Sequence, residues 1–253
     1  DKDLDFAISC WKEKPYIFKN PLDFIYPLTE FDDVCEVLEI ILEDKPEWLS
    51  FDYETTGLKP YNHGHAITVI SACDQDDYAF SFPFQYKNYW TPLQYRQIEK
   101  KWKDVLLEKK IKKIAHNSKF ECVWTNKILG VSPIILDWCT MNAAHILEGR
   151  RDSTSLDHQA LIHFGIENYG KTVKPFLETT NDKGFNKIFD VPINTLLVYS
   201  AIDSLVTKWL FEKQYLLFNK KLTLQKARVF IQESLATLGE MELTGINVNK
   251  QYY

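Results

Sequence analysis

Apolar positions set the frame of the chain. Pro46-Glu-Trp-Leu-Ser-Phe51 is an apolar and aromatic run launched by a proline, which predicts a buried strand. It continues into Asp52-Tyr-Glu-Thr-Thr-Gly-Leu58. Upstream, Asp23–Pro27 is a short strand candidate, and Thr29–Glu43 has the spacing of an amphipathic helix with Thr29 as its expected N-cap. Downstream, His65–Cys73 and Asp77–Pro83 predict two further strands joined by the polar turn Asp74–Asp77, giving an antiparallel meander. A helix is expected over Thr91–Leu107, a fourth strand over Ile111–Ala115, a helix opening at Asn117, and a fifth strand over Pro133–Leu136. Helices follow over Thr140–Leu147 and from Ser155 to a C-cap at Gly165. Residues 166–189 carry little pattern, and loops of that length are frequently functional. Asp190 is expected to cap a long helix with Pro192 in its first turn. A last helix spans Leu224–Leu243, and Ile246–Asn249 reads as strand-like. Residues 1–20 are aromatic but irregular and suggest no more than a docking segment.

Three pairs of side chains stand out on these elements. Asp52 and Glu54, two apart on a strand, project from one face. Two neighbouring carboxylates at a buried strand end repel each other, and a divalent cation with a preference for oxygen, Mg²⁺ or Mn²⁺, removes that cost. Asn117 and Glu121 share a helical face near a helix start, and Tyr199 and Asp203 lie one turn apart on the long helix. Each pair alone is common: an isolated Asp-x-Glu is more often an exposed acidic strand end.

Their order is what carries information. Phe-Asp-Tyr-Glu-Thr-Thr-Gly-Leu (51–58), His-Asn-Ser-Lys-Phe-Glu (116–121) and Tyr-Ser-Ala-Ile-Asp (199–203) resemble the three exonuclease motifs of the DEDD superfamily, in its tyrosine branch. Thr140–Leu147 and Ser155–Leu161 are similar to linking helices of the proofreading domains of family-A (polymerase I type) DNA polymerases. Glu240–Asn249 is similar to the passage from exonuclease to thumb in those enzymes. The resemblance covers residues 22 to 253. It departs at Glu121, where aspartate is usual, and at Cys139, where relatives often carry aspartate.

The resemblance implies an α/β, ribonuclease H-like fold: a mixed five-stranded sheet flanked by helices. It implies a 3′-5′ DNA exonuclease that proofreads single-stranded 3′ ends with two divalent metal ions, Mg²⁺ or Mn²⁺. Asp52 would bridge both ions, Glu54 and Asp203 would hold the ion that activates water, and Glu121 would support the other. Tyr199 would orient the water, while Thr55, Leu58 and Asn117 would contact the last nucleotides. Residues 22–220 would form the exonuclease domain and 221–253 the start of a polymerase thumb, with the polymerase domain in the same full-length chain. Residues 1–21 have no implied role. Two other readings share the motifs: a freestanding RNA exonuclease of the ribonuclease D type, and a non-catalytic single-strand-binding scaffold.

Composition narrows the setting. The chain has 253 residues, 45% of them hydrophobic, enough for a sizeable core. It opens on Asp rather than Met, as an excised or processed product would. No apolar run reaches the length of a membrane span, so no membrane partner is expected. The net charge of −5 argues against broad gripping of duplex DNA, but not against a nuclease whose metals supply local positive charge. The 5 cysteines are odd in number and lack a CxxC pair, pointing to an intracellular, reducing compartment, with a viral or organellar source left open. The histidines lack zinc-ligand spacing. The lysine-rich stretch Lys100–Lys113 reads as a solvated helix face rather than a nucleic-acid patch.

Overall fold

The computed structural model describes residues 19–252, apart from 76–77, 133–135, 151, 182–183 and 250. Almost all of the docking segment expected at 1–20, and half of the turn at 74–77, lie outside the described residues. Six strands form one mixed sheet: β1 (Ile25–Pro27), β2 (Trp48–Thr55), β3 (Ile67–Gln75), β4 (Tyr78–Pro83), β5 (Lys112–Ala115) and β6 (Trp138–Cys139). Their order is β1-β4-β3-β2-β5-β6. The pairs β2–β3 and β3–β4 are antiparallel, as the meander predicts, and β1–β4, β2–β5 and β5–β6 are parallel. The sixth strand is the Asp23–Pro27 candidate, which adds an edge to the expected five.

Eight helices complete the described fold: α1 (Phe31–Asp44), α2 (Pro92–Leu107), α3 (Ser118–Trp124), α4 (Thr140–Glu148), α5 (Leu156–Phe164), α6 (Lys174–Leu177), α7 (Ile193–Asn219) and α8 (Leu222–Thr244). Several expected boundaries move. Thr29 does not cap α1; Glu30 takes the N-cap position without a side-chain bond, and Asp32 and Asp33 in the first turn offset the helix dipole instead. Asp190 does not cap α7. It closes a 3₁₀ turn, Val191 is held extended as a residue before proline must be, and α7 starts after Pro192. Of the strand expected at Pro133–Leu136, residues 133–135 lie outside the described residues. Pairing with β5 occurs at Trp138–Cys139, aligned by two bonds of Asp137 with Lys113, Oδ2 from the amide at 2.9 Å and N–H to the carbonyl at 2.8 Å. Residues 246–249 are irregular rather than strand-like, with Ile246 exposed.

The alternation of β2 assigns its two faces. Leu49, Phe51 and Tyr53 enter a core with Leu38 and Ile41 of α1 and Trp102 of α2, where Trp102 donates its indole N–H to the Tyr53 hydroxyl at 3.1 Å. Ser50, Asp52 and Glu54 face the other way, towards α7. That helix is buried continuously from Tyr199 to Phe211, enclosed on all sides rather than along one stripe. Serines from three adjacent strands fix it: Ser50 donates to the Ser204 carbonyl at 2.8 Å, Ser71 to Ser200 at 2.7 Å, and Ser81 to Leu197 at 2.8 Å. Ser71 is the cross-strand partner of Asp52, so these bonds set which turn of α7 stands over the acidic pair. That turn carries Tyr199 and Asp203.

Most of the lysine-rich stretch is a solvated, ion-paired face, but Lys113, in β5, is buried with its ammonium on the Glu108 carbonyl. Lys100 pairs with Asp104 at 2.9 Å, Lys103 with Glu99 at 2.6 Å and Lys112 with Glu47 at 2.9 Å. Among the described residues, Cys35, Cys73, Cys122 and Cys139 form no disulfide. No helix among the described residues is long and apolar enough to cross a membrane.

Candidate active site

At the end of β2 the register with β3 slips between Glu54 and Thr55, an irregularity that re-aims the strand end. Thr55-Thr56-Gly57 then turns under close packing. A Cβ at Gly57 would stand 2.6 Å from the Gly184 carbonyl oxygen and 2.7 Å from the His65 ring, so only glycine fits. Thr56 Oγ1 bonds His65 Nδ1 at 3.0 Å, and Asn186 donates to the Thr55 carbonyl at 2.8 Å and, through its backbone N–H, to Thr56 at 2.9 Å. Thr55 itself is buried, its hydroxyl donating to the Gly57 carbonyl at 2.8 Å. Leu58 emerges beyond the turn with 48% of its surface exposed.

Asp52 and Glu54 meet Asp203 of α7: one carboxylate oxygen from each lies within 4.8 Å of the others, the only such cluster of acidic, histidine or cysteine ligands among the described residues. Glu121 is outside that group but close enough to Asp52 for its charge to raise the Glu121 carboxyl. Glu121 is 2% exposed and its Oε2 has no hydrogen-bond partner. Asn117 precedes α3 in the left-handed region at φ 66°, where asparagine is tolerated, and makes no capping bond. The Ser118 N–H donates to Cys139 Sγ at 3.4 Å, so Cys139 tethers α3 to β6.

Every carboxyl here is pushed upward, first by burial. Asp52 and Glu54 lie well above their usual range, from burial and then from neighbouring negative charge. Asp203 is raised only to about 6, because bonds from Tyr169 and Tyr199 and the charge of Lys174 oppose burial. Tyr199 and Tyr169 are themselves raised well above the ordinary phenol value, by burial and then by Asp203, so both keep their protons.

Tyr169 was missed by motif reading. It comes from the weakly patterned stretch 166–189, donates to Asp203 Oδ1 at 2.5 Å and stacks on Tyr199 with ring centroids 5.8 Å apart. Gly170 allows that approach, since a Cβ there would stand 2.9 Å from the Tyr199 ring. Lys174 of the same stretch pairs with Asp157 and adds positive charge beside Asp203. Neither has a fixed spacing from the motifs, so the only signal in the sequence was the length of the loop.

A consequence follows for the metal-free protein. A carboxyl whose folded value exceeds its unfolded value loses stability as pH rises through the interval between them. For Asp203 the interval runs from about 3.8 to about 6. The melting temperature in chelator should therefore fall by several degrees across that window relative to Asp203→Asn, which removes the titrating group. Parallel melting curves for the two proteins would show that burial does not strain this carboxylate.

Asp52 and Glu54 at the end of a central strand, meeting Asp203 of a long helix with Tyr199 one turn before it, on a mixed sheet flanked by helices, form the arrangement of the ribonuclease H-like fold. A family model described as 3′-5′ exonuclease matches residues 23–215, and the chain belongs to that family, in its DEDD type. No curated protein matches it in sequence. Among solved structures it is similar to Brucella melitensis NrnC, at 17% identity and a TM-score of 0.60, over 90% of this chain and 96% of that one. Trypanosoma brucei RNase D, solved in complex with RNA U12, aligns at 14% identity and 0.60, over 89% and 72%. Escherichia coli RNase D, described as an exoribonuclease involved in structured RNA processing, aligns at 14% and 0.57, over 88% and 51%. At these identities the likeness is one of fold. The family uses divalent metal ions, and NrnC has been solved with bound Mg²⁺. The donor set fits such ions: hard oxygen ligands, three of them converging, with the partnerless Glu121 oxygen alongside.

Proposed function

We propose that the chain hydrolyses single-stranded nucleic acid from its 3′ end, with short RNA as the substrate class. The observation that carries the nuclease reading is the convergence of Asp52, Glu54 and Asp203. Together with Glu121 they would hold the metal ions. When bound, those ions supply the positive field that activates water and stabilises the departing 3′ oxygen. Tyr199 keeps its phenolic proton at working pH and, anchored on Asp203, is placed to orient the attacking water. Tyr169 holds the other side of Asp203. Leu58, exposed and apolar at the rim, gains by wedging against a base. Thr55 at the turn and Asn117 just before α3 would meet the terminal nucleotide.

Support for RNA over DNA proofreading comes from the kind of neighbour: NrnC and the two RNase D structures share the fold across most of this chain, and none of them is a polymerase domain. Residues 221–253 then serve the nuclease rather than opening a thumb. Arg228 of α8 donates to the Asp137 carbonyl at 3.0 Å and Gln232 to Leu136 at 2.7 Å, laying the helix back against the sheet edge. The test is a rate comparison on RNA and DNA strands of one sequence, with a primed template alongside. RNA should be shortened at least as fast as DNA, with no primer extension. DNA degraded ten times faster than RNA would favour the proofreading reading instead.

A further inference from the structure

Beyond the turn that ends β2 lies a pocket of about 260 Å³, lined by Leu58, Lys59, Asn117, Lys119, Trp124 and Glu242 among others. Glu242 belongs to the last turns of α8, far along the chain from the motifs. One of its carboxylate oxygens takes the ammonium of Lys59, with the Tyr61 hydroxyl at 3.4 Å, and the other takes Lys119 at 2.7 Å. Two lysines clamping one carboxylate form the donor arrangement that a phosphodiester would also satisfy. Trp124, fully buried in the same wall, has an indole N–H without a partner. The pocket opens from Leu58 and Asn117, the residues that would meet the terminal nucleotides, so a strand running away from the cut passes over it.

We infer that Lys59 and Lys119 bind an internal phosphate of the substrate strand, and that the Glu242 carboxylate stands in for that phosphate until the strand displaces it. The inference rests on the single-strand reading above and makes it specific: substrates longer than a dinucleotide gain a contact that a dinucleotide cannot make. Both lysines and Glu242 are partly exposed, and ion pairs in that setting are weak enough to exchange. In a chain of net charge −5, a carboxylate guarding the lysines also keeps short anions from occupying them.

The experiment uses the full chain in an Asp52→Asn background with Mg²⁺, so that bound strands persist. Calorimetry measures affinity for a 5′-hydroxyl RNA dinucleotide, whose one phosphate is the scissile one, and for a pentanucleotide. Glu242→Gln should tighten the pentanucleotide three- to tenfold and the dinucleotide by less than a third of that factor. Lys59→Ala with Lys119→Ala should weaken the pentanucleotide at least tenfold more than the dinucleotide. It should also flatten the salt dependence of pentanucleotide binding by a slope of about 0.7, for one phosphate of a single strand no longer neutralised. Melting temperatures check that α8 stays seated, which its Arg228 and Gln232 bonds favour. Equal changes for both lengths, or no tightening by Glu242→Gln in a folded protein, would overturn the inference. Failure of the nuclease reading shows separately, as absent turnover by the Asp52 parent.

Discussion

Asp52→Asn should lower turnover by about 10³-fold and raise the melting temperature of the metal-free protein. The loss has the scale of removing a preorganised group that stabilises charge in the transition state. Asp52 stands between the two halves of the site, its charge acting on Glu54 and also on Glu121. The gain in stability has the opposite origin. Without metal, Asp52, Glu54 and Asp203 crowd together, the charge of Asp203 bearing on Asp52 and Glu54 and that of Asp52 on Glu54. An amide of the same shape removes one charge and keeps the packing. Differential scanning in chelator and single-turnover hydrolysis in Mg²⁺ report the two effects. An active Asp52→Asn enzyme, or one destabilised in chelator, would remove the metal-site assignment.

Glu121 is the second large effect. The resemblance to the DEDD motifs leads one to expect aspartate here, and the glutamate is one methylene longer. The side chain rises from the first turn of α3 and is buried, with one oxygen lacking any partner. A carboxylate this far from water and unpaired is costly unless a cation completes it. Glu121→Ala should therefore lose at least ~10²-fold in turnover, the scale of a metal-supporting residue or single-donor loss. Glu121→Asp should remain active with its Mg²⁺ and Mn²⁺ optima shifted, because a water can fill the shortened reach. Titrating both metals against turnover for the three proteins separates these outcomes. Parental turnover by Glu121→Ala would make Glu121 a structural residue of α3.

Much of this site was legible in sequence because its members obey local periodicities. The strand period placed Asp52 and Glu54 on one face, and the helical period paired Tyr199 with Asp203. The meander β2–β3–β4 followed from alternation and a polar turn. What sequence left out depends on contacts between distant segments. The serine bonds from Ser50, Ser71 and Ser81 to α7 select the turn that faces Asp52, and small polar residues in buried strands carry no periodic signal of that role. Tyr169 and Asn186 reach the site from a loop whose path is set by the glycines that admit it. Glu242 is invisible for the same reason, since α8 returns to Lys59 and Lys119 only through tertiary packing. Caps fared worst: Thr29 and Asp190 have suitable chemistry, but the acidic first turn and the neighbouring proline moved the helix starts by one and two residues.

The most direct measurement is a time course on a 5′-labelled single-stranded RNA in Mg²⁺, resolved at one-nucleotide steps. Shortening of the labelled strand one nucleotide at a time from the 3′ end, stopped by chelator and by Asp52→Asn, is the expected result. Release of the label as a mononucleotide, or cleavage that persists in chelator or in Asp52→Asn, would contradict a metal-dependent 3′-5′ exonuclease built on Asp52, Glu54, Glu121 and Asp203.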